Sequence, residues 1–356
     1  MAAKKVLLIA FAISLSLLSC KTKKQSSGEF TTSEAGIENR VTVPDITEED
    51  IFLHLSILAS DSMQGRMSAS PYEMLAAEYI KKTFKSLGLK SFNDNYFQTF
   101  PIPPDKYFNN GKLYSKYHKK DFTAKESEMQ SIFSQNVVAC LETDDPNVKG
   151  YIVIGAHYDH IGTQKDGDSL LINNGADDNA SGTAGLLEIA EKLCSTKKLK
   201  YNIIFVAFGA EELGMIGSSF FCANPPVPIE KIKLMLNMDM IGRMDSSKCA
   251  YIATIETNNR LNALVDVLRK THTDINVVIS SDFYLQFTDH SSFFEKHIPV
   301  MSFTTGLNAL YHTPADTIGS INFKGEKLLL DFIYDLVISP AMDSCIRSFT
   351  SSGSNP

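Results

Sequence analysis

The chain has 356 residues, 44% of them hydrophobic, and a formal net charge of −7 at pH 7. That is enough apolar sequence for a full core, within the size that a single large α/β domain can hold. The acidic balance, with no basic patch interleaved with aromatics, excludes nucleic acid as a partner, and six cysteines without a C-x-x-C pair or a Cys/His cluster exclude a disulfide framework.

The chain opens on a segment that stands apart from the fold. Lys4 and Lys5 precede an apolar run from Val6 to Leu18, the pattern of a secretory signal over residues 1–19, too short for a stable membrane span. The ending Leu17, Leu18, Ser19, Cys20 resembles a bacterial lipobox, which makes Cys20 the lipidated first residue of the mature chain and its membrane anchor. Residues 20–44, rich in Ser, Thr and Lys, read as a flexible tether, and 45–348 as the folded domain. Lys21, where inner-membrane retention would call for Asp, points to the outer membrane, facing the periplasm or the cell surface. The exported address permits one disulfide, but Cys140, Cys194, Cys222, Cys249 and Cys345 are expected to be mostly buried thiols.

Helical spacing runs over 47–60 and 70–87, with Gly88 placed as a C-terminal cap. The loop between them holds Arg66, expected to be solvated. Residues 92–128, with Pro101, Pro103 and Pro104, read as an irregular segment or a hairpin at a sheet edge. Strands are expected at 135–141, 151–156, 202–208, 232–238, 275–280 and 298–303, and helices at 180–195, 212–223, 257–271, 290–297 and 323–348. This alternation predicts an α/β fold, a mixed and mainly parallel β-sheet flanked by helices on both faces in three layers.

Chemistry gathers where the apolar runs end. His157 and Asp159 close the run at 151–159, and Asp177 and Asp178 lie in the small-residue loop 173–185 that opens a helix. Glu211 and Glu212 close the run at 202–212, and Asp239 follows the next. Asp289 with His290, and His312 with Asp316, come later. Singly, each has a structural explanation as a strand-end histidine, a helix start or a turn carboxylate. Together they are independent coincidences at one sheet edge. Imidazole nitrogen and carboxylate oxygen are the donors that zinc takes, and two metals can share a bridging carboxylate.

This constellation resembles the co-catalytic zinc aminopeptidases of peptidase family M28, over about residues 45 to 345 and through five motifs. GAHYDH (155–160) implies His157 as ligand, with Asp159 behind it holding the imidazole. GADDNASG (175–182) implies Asp178 as the bridge, and leaves Asp177 behind the ligands. GAEELG (209–214) implies Glu211 as general base and Glu212 as ligand; NMDMIGR (237–243) implies Asp239; YHTPADT (311–317) implies His312, with Asp316 behind it and Tyr311 as donor to the oxyanion. The resemblance implies two zinc ions per chain and a hydroxide between them. The substrate it implies is a peptide with a free N-terminus. Asp289 and His290 are left between substrate contact and helix capping.

Two other readings share this fold. Glutaminyl cyclases carry similar HYD, EE and HT motifs around one zinc, and DHSSF (289–293) resembles a segment of theirs, but the chain contains no tryptophan and has Tyr311 where such a pocket places one. The other is a catalytically inactive binding lipoprotein.

Overall fold

The sheet that carries the site has eight strands. A computed structural model describes residues 45–103, 108–109, 112–113, 132–196, 199–254, 259–280 and 288–352, so the signal, Cys20 and the tether lie outside the described residues. The contacts of the folded part cluster into a unit running from Pro44 to Pro356.

In chain order the strands are β1 (Phe97–Pro101), β2 (Phe133–Leu141), β3 (Tyr151–His157), β4 (Asn202–Phe208), β5 (Ile232–Met238), β6 (Cys249–Ala253), β7 (Asn276–Ser280) and β8 (Val300–Thr304). Their spatial order is β1-β2-β4-β3-β5-β8-β6-β7. The pairs β4–β3, β3–β5, β5–β8 and β6–β7 are parallel, whereas β1–β2, β2–β4 and β6–β8 are antiparallel. The expected mixed, mainly parallel sheet is therefore the observed one. Its functional consequence is direct. Four neighbouring parallel strands, β4, β3, β5 and β8, end at the same edge, and loops leaving carboxyl ends are where α/β sheets build sites.

Central strands are apolar on both faces because helices cover both. On β4, Ile203, Phe205 and Ala207 face the larger core, while Ile204, Val206 and Phe208 alternate into the smaller one. The larger core is closed by helices α1 (Glu48–Leu58), α2 (Pro71–Ser86), α3 (Gly182–Cys194), α5 (Asn259–Leu268), α7 (Phe323–Ile338) and α8 (Met342–Ser352). The smaller is closed by α4 (Ile216–Ala223) and α6 (His290–Phe294), whose Phe221 and Phe293 pack 5.6 Å apart between centroids.

Local signals account for the helix ends. Thr47 caps α1 by accepting from Asp50 N at 3.0 Å, and Ser70 caps α2 by accepting from Glu73 N at 3.2 Å. The expected single helix at 323–348 is instead two, because Ser339-Pro340 follows α7 and proline cannot continue the backbone ladder. β6 and the hairpin pairing Thr163–Asp166 with Ser169–Ile172 were not expected from the sequence. The edge reading of 92–128 is met by β1, with most of that segment outside the described residues. Cys140, Cys222 and Cys345 are buried, as expected of most of the five, and Cys194 and Cys249 are half-buried.

Candidate metal centre

His157 is the last residue of β3, Glu211 and Glu212 follow β4, Asp239 follows β5, and His312 lies in the loop after β8. Asp178 reaches the same point from the loop before α3. His157 Nε2 lies 3.3 Å from Asp178 Oδ1 and 3.5 Å from Asp239 Oδ1. His312 Nε2 lies 2.9 Å from Asp178 Oδ2 and 3.2 Å from Glu212 Oε2. Asp178 therefore offers one oxygen to each of two donor groups. Among the described residues, two sets could hold a metal ion, His157 with Asp178 and Asp239, and His160 with Asp178, Glu212 and His312. Five of these are the residues expected from the sequence.

The electrostatics favour cations at both groups. Burial works against charge on His157, yet Glu211, Asp159, Asp178 and Asp239 hold its imidazole well above the ordinary range. Burial likewise opposes charge on His312, but Asp178 and Glu212 push it up to about 11. Burial and Asp178 would raise Glu212, and hydrogen bonds from His160 and His312 instead hold it down at about 2. Imidazoles that hold protons this firmly sit where positive charge is wanted, and a metal ion competes for the same lone pairs. Nitrogen and carboxylate oxygen without a thiolate suit zinc.

Glu211 stands apart from both sets. Its nearest imidazole contact is His157 Nε2 at 4.0 Å. Burial raises its carboxyl well above the usual range, His157 opposes this, and Glu212, Asp289 and Asp239 add to the rise. A carboxyl with elevated proton affinity beside a metal site is suited to proton transfer.

The other carboxylates hold backbone. Asp316 accepts from Asp177 N at 3.0 and 3.1 Å and from Asp178 N at 3.1 Å, fixing the bridging loop. Asp177 accepts from Gly242 N and from Asn308 Nδ2, each at 2.9 Å, and so ties that loop to the segments carrying Asp239 and His312. Asp159 accepts from Glu211 N at 3.1 Å, Glu212 N at 3.3 Å and Ser68 Oγ at 2.7 Å. Its carboxylate is 3.7 Å from His157 Nδ1, which lies closer to the Asp159 carbonyl oxygen at 3.2 Å. The implied grip of Asp159 on the imidazole is thus carried more by its backbone than by its side chain.

Asp289 and His290 are wholly buried. Asp289 stands at the start of α6 but makes no side-chain capping bond, and burial pushes its carboxyl up to about 7. His290 Nδ1 lies 2.9 Å from Thr288 Oγ1. Tyr311 is 37% exposed and stacks on His312 with ring centroids 3.7 Å apart, so the structure places its ring at the open side of the site.

Two contributors were not read from the sequence. His160 joins the second donor set, with Nδ1 2.8 Å from Glu212 Oε1. Arg66, expected in solvent, is 1% exposed. Its Nε donates to Tyr158 O at 2.8 Å, Nη1 to Leu58 O at 2.5 Å and Asn174 O at 2.7 Å, and Nη2 to Gly175 O at 3.0 Å. The guanidinium takes up the carbonyls of Leu58, Tyr158 and Asn174 and shares that of Gly175 with Ala180 N, which overrides its preference for water. Burial pulls it down to about 10, against Asp159, Asp178, Asp316 and Glu212, so it stays cationic at neutral pH among those carboxylates. Gly175, at φ +56°, has no room for a side chain, since a Cβ there would stand 2.2 Å from Asp178 O and 2.5 Å from His160 Cδ2.

The fold and this two-part donor set define a candidate metal centre at the carboxyl edge of an α/β sheet, and the chain belongs to peptidase family M28, whose model matches residues 136–337. Aminopeptidase YwaD of Bacillus subtilis is 29% identical over 212 residues, covering 57% of this chain and 44% of that protein. The chain spans between 40% and 66% of the length of the first curated relatives it matches. Among solved structures, a zinc aminopeptidase from Bacillus subtilis superposes with a TM-score of 0.62 at 18% identity, covering 83% of this chain and 96% of that one. A glutaminyl cyclase from Porphyromonas gingivalis does so at 0.58 and 18%, covering 82% and 97%.

Arg66→Met leaves the carbonyls of Leu58, Tyr158 and Asn174 buried without their donor and takes one of two donors from Gly175, and is expected to cost at least about 3 kcal/mol of unfolding free energy. Arg66→Lys recovers part of that, since an ammonium has three donors without the planar fork. Chemical denaturation of the metal-free protein measures both; a loss below about 1 kcal/mol for the methionine variant contradicts the assignment.

Proposed function

We propose that this chain is a zinc-dependent exopeptidase, an aminopeptidase that removes N-terminal residues from peptides using two zinc ions. The observation that carries this reading is the division of Asp178, Oδ1 toward His157 and Oδ2 toward His312. His157 and Asp239 would hold one ion, Glu212 and His312 the other, with Asp178 shared. Zinc bound there supplies Lewis acidity and lowers the pKa of bound water toward neutrality. Glu211 takes the proton from the attacking water and returns it to the leaving amine, a task suited to its raised proton affinity. A peptide's free α-amino group, as the neutral amine, would offer such a metal site a lone pair that an internal amide nitrogen lacks, which favours the chain end over an internal bond. Tyr311, exposed and stacked on His312, is the proposed donor to the developing oxyanion. Asp289, wholly buried, is among the groups that raise Glu211.

We also propose that the chain is an exported lipoprotein, with signal 1–19, tether 20–44 and an acylated Cys20 that holds the enzyme on a membrane, in the outer membrane facing the periplasm or cell surface. The support is the charged-apolar-small pattern ending at that cysteine. Mass spectrometry of the mature N-terminal peptide is expected to find an acylated Cys20; an unmodified cysteine there contradicts the anchor.

The activity is tested with aminoacyl and peptide amides, each with a free and an N-acetylated terminus. Hydrolysis is expected only of the free-amine series, lost with chelator and restored by zinc. Glu211→Gln is expected to keep its zinc and lose at least about a hundredfold in kcat. Equal cleavage of acetylated substrates would overturn the exopeptidase reading, and near-normal turnover by Glu211→Gln would overturn the role of the base. Cyclisation of peptides with N-terminal glutamine, with no hydrolysis, would select the cyclase instead.

A further inference from the structure

His160 is 1% exposed and stands inside the second donor set, yet the motif resemblance gives it no task. Its ring meets that of His312 edge-on, with centroids 5.5 Å apart at 68°. Its Nδ1 is 2.8 Å from Glu212 Oε1 but 3.9 Å from the bridging oxygen, Asp178 Oδ2. His312 Nε2, by contrast, is within 3.2 Å of both Glu212 Oε2 and Asp178 Oδ2. The two imidazoles thus address Glu212 through different oxygens, and only His312 also closes on the bridge.

We propose that His160 is a positioning residue for the second metal. Its Nδ1–H donates to Glu212 Oε1 and so leaves Oε2 as the oxygen presented to the ion beside His312. The inference rests on the zinc reading of the site. A separation of 2.8 Å is the length of a charge-assisted N–H···O bond, and an ionised carboxylate can only accept, which assigns the proton to Nδ1. The ring has little freedom to act otherwise. His160 N donates to Arg66 O at 3.2 Å, the residue bridges in parallel to Met67, and Gly175 is so close that a Cβ there would lie 2.5 Å from the ring. Nε2 is buried with no hydrogen-bond partner among the described residues. The ring is therefore engaged through Nδ1. A carboxylate fixed at one oxygen meets a metal already oriented, which is how outer hydrogen bonds raise metal affinity.

The test is zinc stoichiometry and affinity, measured by chelator competition on the purified protein as wild type, His160→Ala and His160→Asn. Asparagine places an amide N–H near the position of Nδ1–H and is a poor zinc ligand. His160→Ala is expected to bind two ions at saturation, with the weaker one released about 10- to 100-fold more readily than in wild type. His160→Asn is expected to stay within about threefold of wild type. Unchanged affinities in His160→Ala overturn the proposal. Complete loss of one ion in both variants overturns it too, by making His160 a direct ligand. Should His160→Ala lose its cooperative melting transition, His160→Leu, closer in volume, replaces it in the comparison with His160→Asn. A wild-type protein that takes up no zinc would refute the zinc reading itself, an outcome separate from either failure of His160.

Discussion

One carboxylate shared between two imidazoles organises this molecule. Asp178 is 3% exposed, and burial alone would favour its neutral form, but His157 and His312 hold it well below the ordinary carboxylate range. Around it, Glu211, Glu212, Asp239, Asp159, Asp316 and Asp177 crowd the ends of adjacent strands. Like charges at such separations in a low-dielectric interior repel strongly. The arrangement persists because cations answer it from several sides. Arg66 stands behind the carboxylates, the imidazoles among them, and the donor geometry leaves two places for metal. A site this acidic would be unstable without positive charge, and divalent cations at its two donor groups would supply it.

The carboxylates divide their labour by what surrounds them. Those turned toward the imidazoles are the candidate metal donors, whereas Asp316, Asp177 and Asp159 accept from backbone amides of the loops carrying them. Each loop is therefore tied to a neighbour by a buried hydrogen bond. The result is a first layer of donors whose positions are set by a second layer of buried hydrogen bonds, itself seated on four parallel strands. Rigidity of this kind is what catalysis by fixed charges requires, since dipoles already in place need no rearrangement when charge develops.

The parts of the fold that could be read from the chain are those buried on both faces. β3 and β4 appear as apolar runs that end in charged residues, and β5 as one broken at Lys233 and Asn237 before Asp239, because helices cover both sides of the sheet. β6 escaped notice because CAYIA is short and half-exposed at Tyr251. The hairpin at 163–172 carries its turn in Asp166-Gly167-Asp168, but its strands are mostly polar and bury no continuous face. Arg66 left no readable pattern, since its partners at Tyr158, Asn174 and Gly175 lie some 92 to 109 residues away. His160 was hidden for a similar reason. Its position next to Asp159 is visible, but its contact with Glu212 exists only once β3 and β4 lie side by side.

The central claim is that one side chain, Asp178, joins two metal ions. Diffraction from zinc-soaked crystals at the zinc absorption edge tests it most directly. The account predicts two anomalous peaks roughly 3.5–4 Å apart, one beside His157 and Asp239, the other beside Glu212 and His312, with an oxygen of Asp178 on each. A single peak at saturating zinc, or two peaks that do not share Asp178, would contradict it.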